Sequence, residues 1–165
     1  MKRTLASLVL SFSLAALGMA QSASAQQPTA STHVLLTPLQ LQWGAGPPHL
    51  PKGARLAVLS GDPGAAGPFT VRMKFPAGYK IAPHSHPTDE NVTVISGTLS
   101  LGMGDKFDRK TMKTLPAGGY AVLPAGMHHF AWSRTGATVQ LHSNGPFVIN
   151  YVNPADDPAK TTSAK

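Results

Sequence analysis

The sequence predicts an all-β protein with a single domain. Its apolar residues fall into short runs, several of them β-branched, such as residues 92–95. The runs are separated by loops that draw on 16 glycines and 15 prolines, as at residues 44–53 and 61–68, and such loops discourage helix. About 120 residues lie between the two terminal segments, which is enough for one hydrophobic core and too few for two domains.

Ten strands are predicted along this core. Residues 69–75 alternate apolar with basic side chains over most of their length, which is the period of a strand with one buried face. Ser96 and Gly97 predict a hairpin turn within a longer β-favouring stretch. The predicted strands are residues 33–36, 39–43, 55–59, 69–75, 79–86, 90–103, 119–123, 129–133, 139–142 and 147–152.

His84 and His86 predict one half of a metal site. They are two residues apart, so on a strand both side chains leave the same face and can bind one ion. The Pro-Thr-Asp sequence at residues 87–89 favours a turn, because proline fixes φ and the Thr and Asp side chains bond the local backbone. This turn allows Glu90 to approach the same ion from the next strand.

A second segment supplies one more histidine. A Pro-x-Gly turn at residues 124–126 follows a short apolar strand, and His128 and His129 follow within three residues. Because neighbouring residues of a strand point to opposite faces, only one of the two can face the interior. Together the two segments offer three imidazoles and one carboxylate, a set that suits a divalent transition metal. We therefore predict a metal-binding domain.

The two segments resemble the two sequence motifs of the cupin superfamily, as found in small single-domain bacterial cupins. The first motif, G-x5-H-x-H-x3-4-E-x6-G, is matched by Gly78, His84, His86, Glu90 and Gly97. The second motif, G-x5-P-x-G-x2-H-x3-N, is matched by Gly118, Pro124, Gly126 and His129. Ser133 stands where the family usually has Asn. That Asn is not a metal ligand in the family, so the departure concerns a local turn contact.

The resemblance implies a fold and a ligand set. The fold is a single-domain antiparallel β-barrel of the cupin, or double-stranded β-helix, type, which is similar to a jelly roll. One divalent transition metal per chain (Fe, Mn, Ni, Cu or Zn) would be held by His84, His86, Glu90 and His129. The match thus favours His129 over His128 as the inward-facing residue.

The resemblance also implies a class of function. In the family, three histidines and a glutamate leave coordination positions open to a small-molecule substrate or to oxygen. We therefore predict a metal-dependent small-molecule enzyme of the dioxygenase type, in which Glu90 is a ligand and the candidate catalytic proton acceptor. The alternatives are a zinc- or nickel-dependent lyase or isomerase, and a cupin that binds a metal or small ligand without turning it over.

Other polar residues receive a structural interpretation. His33, His49 and His142 are expected to be surface or hydrogen-bonded residues. Tyr79 and Tyr120, like His142, are candidates for proton donors in the cavity, but a structural or surface role is the more common one for such residues.

The beginning of the chain predicts export. Lys2 and Arg3 precede an apolar stretch at residues 5–17, and the small residues 23–25 (Ala-Ser-Ala) form a signal-peptidase site. Cleavage after Ala25 would give a periplasmic or secreted protein without a membrane anchor. The sequence contains no cysteine, which excludes a lipoprotein anchor, disulfides and thiolate ligands.

Domain organisation and partners follow from the remaining composition. The predicted parts are a signal peptide (1–25), a flexible leader (26–32), the cupin β-barrel (33–152) and a disordered tail (153–165). Without Lys2 and Arg3, the sequence has 12 basic and 7 acidic residues. The basic residues are scattered and no aromatic residues alternate with them, so nucleic acid is not an expected partner. Residues 33–43 are expected to cover a sheet edge in a homodimer.

Overall fold

The computed structural model describes residues 33–161. The predicted signal peptide, its cleavage after Ala25, the leader at 26–32 and the end of the tail at 162–165 lie outside the described residues. Within this range no helix has the length and apolar character needed to cross a membrane. The strands are β1 (Gly44–Ala45), β2 (Arg55–Ser60), β3 (Gly67–Phe75), β4 (Tyr79–Ser85), β5 (Glu90–Met103), β6 (Lys113–Pro116), β7 (Tyr120–Leu123), β8 (His129–Ser133), β9 (Ala137–Gly145) and β10 (Asn150–Tyr151).

These strands form two curved sheets that share β5. The first half of β5 pairs with β9 on one side and β7 on the other, and the first sheet runs β1-β2-β3-β9-β5-β7. The second half pairs with β8 and β6, and the second sheet runs β6-β5-β8-β4-β10. Every pairing is antiparallel. The predicted all-β, antiparallel barrel class is therefore confirmed.

The strand β5 passes from one sheet into the other at Gly97. Its φ is +73°, and a Cβ at this position would clash with the carbonyl oxygen of Gly136, so glycine alone fits without strain. The ladder to β9 shifts register between Val94 and Ser96, which is a bulge that redirects the strand. The predicted hairpin turn at Ser96 and Gly97 is wrong: the chain continues as one strand of 14 residues and changes its pairing partners.

The hydrophobic core lies between the two sheets. Alternate residues of β3, Val71, Met73 and Phe75, point inward and are at most 7% exposed. The second half of β5 contributes Leu99 and Leu101 by the same alternation. Met73, Phe75, Leu99 and Leu101 line the same cavity as the four residues of the predicted metal site.

The segment before β1 differs from the prediction. Residues 33–43 contain no strand, and their one regular element is a 3-10 turn at Pro38–Gln40. The side chain of Gln40 accepts a hydrogen bond from the backbone N–H of Thr37 at 2.8 Å, and Leu35 and Leu39 are 89% and 97% exposed. The two strands predicted here are wrong because an apolar segment becomes a strand only beside a pairing partner.

The segment after β10 also differs from the expected disordered tail, as far as residue 161. It forms a 3-10 turn (Pro154–Asp156) and a short helix, α1 (Pro158–Thr161). Asp157 between them is buried, and its carboxylate oxygen lies 3.0 Å from Nδ1 of His49. This contact attaches the segment to the loop before β2 and gives His49 the hydrogen-bonded role that the sequence predicts.

Candidate metal centre

Three histidines meet inside the barrel. His84 lies in β4 opposite His129, the first residue of β8, and His86 directly follows β4. One ring nitrogen from each lies within 4.8 Å of the others. None of the three is more than 4% exposed, so the group is separated from bulk water.

The backbone fixes the orientation of all three rings. Each Nδ1 faces a backbone carbonyl oxygen: Ala82 for His84 (2.8 Å), Val148 for His86 (2.7 Å) and Met127 for His129 (3.0 Å). A carbonyl oxygen can only accept, so Nδ1 carries the hydrogen and the neutral ring has its lone pair on Nε2. Metal-binding histidines are commonly held in this way by a partner of the second ring nitrogen.

Glu90 lies beside two of these histidines. It is the first residue of β5, and its Oε2 is 3.4 Å from Nε2 of His86 and 3.3 Å from Nε2 of His129. Burial would raise the pKa of the Glu90 carboxyl, but hydrogen bonds and electrostatic attraction from His129 and His86, when these rings are protonated, outweigh burial and lower it. The side chain is therefore a carboxylate at neutral pH.

His84 is neutral at the same pH. Burial, followed by the nearby His129 and His86, lowers the pKa of His84 to about 3. A neutral imidazole has the free lone pair that a metal ligand needs. The pKa directions of His84 and Glu90 thus both favour the protonation states of metal ligands.

The buried Nε2 of His129 has no hydrogen-bond partner within the described residues. Although Glu90 Oε2 is 3.3 Å away, the geometry is not that of a hydrogen bond, and in the neutral ring both atoms are acceptors. Leaving such an atom unsatisfied costs about 1–3 kcal/mol. A divalent cation between the two atoms would be bound by both, so these residues fit the predicted transition metal.

Hydrogen bonds between the two motif segments hold the site residues in place. The backbone N–H of Gly126, in the Pro-x-Gly turn, donates to the carbonyl of His86 at 2.8 Å. The N–H of Ala125 donates to the Asp89 carboxylate at 2.8 Å, and Ser143 donates from its hydroxyl to the Asp89 carbonyl at 2.6 Å. The loop between His86 and Glu90 is therefore braced from both sides.

The other candidate residues lie outside the cavity. The side chain of His128 is 43% exposed and points outward, with Nδ1 2.6 Å from Asp105. Tyr79 is buried, but its hydroxyl donates to the carbonyl of a loop residue. Tyr120 and His142 are exposed on the outer surface. Of the two adjacent histidines, the structure places His129 in the interior, as the resemblance implies.

Several residues of the site carry no signal in the sequence. The ring of Phe147 stacks on His86 with centroids 4.1 Å apart, and the ring of Tyr151 lies 5.8 Å from that of His84. Leu50 and Ile149 line the cavity. These residues lie in loops and a two-residue strand, and no motif includes them; the apolar run at residues 147–152 is the one available hint.

Ser133, where the family usually has Asn, makes a different contact. It is 1% exposed and its hydroxyl donates to the carbonyl of Thr98 at 3.2 Å. This bond links β8 to β5 close to Gly97. The substitution therefore affects a local contact between strands and leaves the four site residues together.

Sequence comparison places most of the barrel in one family. Residues 51–147 match DUF4437, which is described as a domain of unknown function. This range includes all four site residues. No curated protein gives a significant sequence match to the chain.

Three solved structures, one of them a cupin, share the fold. The polyketide cyclase RemF from Streptomyces resistomycificus is 15% identical with a TM-score of 0.61, over 80% of this chain and 94% of that one. An RmlC-like cupin from Shewanella frigidimarina is 19% identical with a TM-score of 0.55, over 69% and 91%. KdgF from a Halomonas species is 18% identical with a TM-score of 0.53, over 70% and 96%. These similarities establish that the barrel has the cupin fold.

Proposed function

The chain belongs to the DUF4437 family, and we propose that it is a metal-dependent cupin enzyme that acts on a small molecule, of the dioxygenase type. The observation that carries the proposal is the buried group of His84, His86 and His129 with the Glu90 carboxylate beside it. A barrel interior accommodates four such polar side chains when a cation pairs with them.

Each residue has a distinct part in this proposal. His84, His86 and His129 would hold one divalent transition metal through Nε2, with Glu90 as the fourth ligand. The bound metal would supply Lewis acidity and, where it is redox-active, electron transfer. Glu90 is ionised and is the only carboxylate among the residues that line the described cavity, so it is the group that could accept a proton from a substrate. The apolar walls would exclude water from the reacting atoms.

A reaction without oxygen is the second candidate. RemF, which shares the fold at a TM-score of 0.61, is a polyketide cyclase. This supports a lyase, isomerase or cyclase type of reaction with zinc or nickel as the alternative. A cupin that binds the metal or a small ligand without turnover would have the same ligands and no product.

Location and assembly form a separate part of the proposal. The signal sequence would direct the chain to the periplasm or the medium, with cleavage after Ala25. The exposed Leu35 and Leu39 at the beginning of the described chain would pack against a second copy in a homodimer. Mass spectrometry of the mature N-terminus tests the first statement, and light scattering tests the second.

Metal analysis combined with oxygen uptake tests the proposed reaction. The protein would be purified from its native host and analysed by elemental mass spectrometry, with His84→Ala as the site variant and the exposed His142→Ala as its control. Iron, manganese, nickel or copper near one per chain, lost in His84→Ala alone, together with oxygen uptake during turnover, is the expected result. Zinc with turnover but no oxygen uptake would favour the second candidate, and a native protein without metal would overturn both.

A further inference from the structure

The central cavity contains no cationic side chain. Apart from the three histidines and Glu90, its walls are entirely apolar. The apolar lining residues are Leu50, Met73, Phe75, Ile81, Val92, Leu99, Leu101, Leu123, Ala131, Val139, Leu141 and Ile149. A carboxylate or phosphate on a bound molecule would therefore find no partner there other than the metal itself.

The central cavity is also small. Its volume is about 50 Å³, well below the roughly 300–1,000 Å³ of ordinary small-molecule pockets. A metal ion and a few light atoms would fill it. The body of any larger molecule must therefore lie outside this cavity.

A second cavity adjoins the first and offers that space. Its volume is about 230 Å³, and it shares Leu50, Met73, Leu141 and Ile149 with the central cavity. Its remaining walls are formed by Pro47, His49, Leu56, Pro63, Phe69, Val71, Phe147 and Val148. No lysine or arginine is among them.

His49 is the one titratable residue in this second cavity. Its Nδ1 lies 3.0 Å and 3.2 Å from the two carboxylate oxygens of Asp157. Because Asp157 already occupies this ring nitrogen, Nδ1 of His49 is not available to an anionic group on a bound molecule. Both cavities thus favour neutral, apolar groups of a bound molecule.

We propose that the site takes a neutral molecule whose apolar body occupies the second cavity and whose oxygen atom reaches the histidine group, and that it rejects molecules with an anionic group on that body. This inference rests on the proposed function, because the metal would bind the oxygen. Transfer of an unpaired anionic group into such walls is unfavourable because the charge loses its hydration without gaining a partner, whereas burial of an apolar ring is favourable.

Two para-substituted phenols test the inference on the wild-type chain loaded with Co(II). The compounds 4-ethylphenol and 4-hydroxybenzenesulfonate share a ring and a hydroxyl, and differ in the apolar or anionic group opposite the hydroxyl. A sulfonate is a poor metal ligand, so its charge would have to enter the second cavity when the hydroxyl binds the metal. We expect 4-ethylphenol to bind at least about 100-fold more tightly, measured by calorimetry and by changes in the visible Co(II) spectrum. Affinities within about threefold of each other would overturn the inference.

A charge placed inside the cavity gives the complementary test. Leu50→Arg introduces a cation from a loop residue that borders both cavities, and Val58→Arg places the same charge on β2 at a residue that is 46% exposed. We expect Leu50→Arg to bind 4-hydroxybenzenesulfonate at least about tenfold more tightly than wild type, and Val58→Arg to leave the preference unchanged. An equal change in both variants would contradict the inference.

Different results would refute the proposed metal-dependent function and the inference about its substrate. A chain that takes up no Co(II) would refute the proposed function, and calorimetry on the metal-free chain would still report which phenol the cavity prefers. A protein that binds one Co(II) per chain but binds both phenols equally would refute the inference about the substrate and would still support the proposed metal site.

Discussion

Metal binding should stabilise the chain through His129 and not through its neighbour His128. The two residues are adjacent in sequence, but the side chain of His129 is 2% exposed in the histidine group and that of His128 is 43% exposed beside Asp105. His129→Ala and His128→Ala are therefore a matched pair. The quantity to compare is the rise in melting temperature when metal is added, because removal of the buried ring also changes the stability of the metal-free protein.

The expected size of this rise follows from mass action. At a metal concentration 100 times the dissociation constant, the folded state gains about 2.7 kcal/mol. For the roughly 130 described residues, an unfolding entropy of about 2.1 cal/mol/K per residue converts this gain to about 10 °C. If the loss of one ligand weakens binding about 100-fold, the rise at the same concentration falls to roughly 1–2 °C.

Differential scanning fluorimetry with Zn²⁺ or Co²⁺ measures this rise in parallel for wild type and both variants. Wild type and His128→Ala should show the full rise, and His129→Ala should lose most of it. The same rise in all three proteins would refute the assignment of His129 as a ligand. If His128→Ala lost the metal-induced rise in melting temperature and His129→Ala kept it, the outward-facing histidine would be the one that binds the metal.

Three further results are expected. Gly97→Ala should lower the free energy of unfolding, measured by urea titration, by at least about 2 kcal/mol, because residue 97 has a positive φ and a Cβ there would clash with Gly136. Gly118→Ala is the control: residue 118 also has a positive φ, but no atom other than those of its chain neighbours lies within 4 Å of its Cβ position, so the loss should be about 1 kcal/mol. The pKa of His84 is depressed when folded, so the unfolded chain binds more protons than the folded one. The metal-free protein should therefore lose roughly 1 kcal/mol per pH unit as pH falls from about 6.5 toward 4.5, and lose more steeply below that, where the depressed pKa of Glu90 contributes as well; a flat profile contradicts this. Asp89→Ala removes the acceptor that braces the Pro-x-Gly turn, and should weaken Co(II) binding about tenfold in spectroscopic titrations without changing the ligands.

The convergence of the site residues could be predicted from the sequence. The spacing of His84 and His86 predicts that both side chains leave the same face of an extended segment, and in the structure β4 ends at Ser85, directly before His86. Adjacency excludes either His128 or His129 from the interior. The family motif selects His129, and the structure places that residue beside the other two. Local spacing thus predicts each half of the site, whereas the choice of His129 and the meeting of the two segments follow from the family resemblance.

The partners that hold the rings could not be predicted. Nδ1 of His86 faces the carbonyl of Val148, which is 62 residues away in sequence. Any residue has a carbonyl, so no side-chain type marks this acceptor. Leu50 and Ile149 could not be predicted either, because their position in the cavity wall depends on the conformation of loops and follows no sequence pattern.

Two errors in the strand predictions have a common physical cause. Residues 33–43 have an apolar, β-favouring sequence but no neighbouring strand, and they remain irregular apart from one turn. The strand β6 (Lys113–Pro116) has only two apolar residues, Leu115 and Pro116. It nevertheless pairs with β5, since the edge of a sheet tolerates proline. Strand formation therefore depends on a pairing partner that local sequence does not reveal.

The central claim is that one metal ion is bound by the three histidines and Glu90. X-ray absorption at the zinc K edge of the zinc-loaded chain tests it most directly, because the fine structure counts imidazole ligands and measures their distances. We predict three imidazole nitrogens and at least one oxygen at about 2.0–2.2 Å, with one imidazole fewer in His129→Ala. A shell of oxygen atoms without imidazole, or a spectrum unchanged in His129→Ala, would contradict the claim.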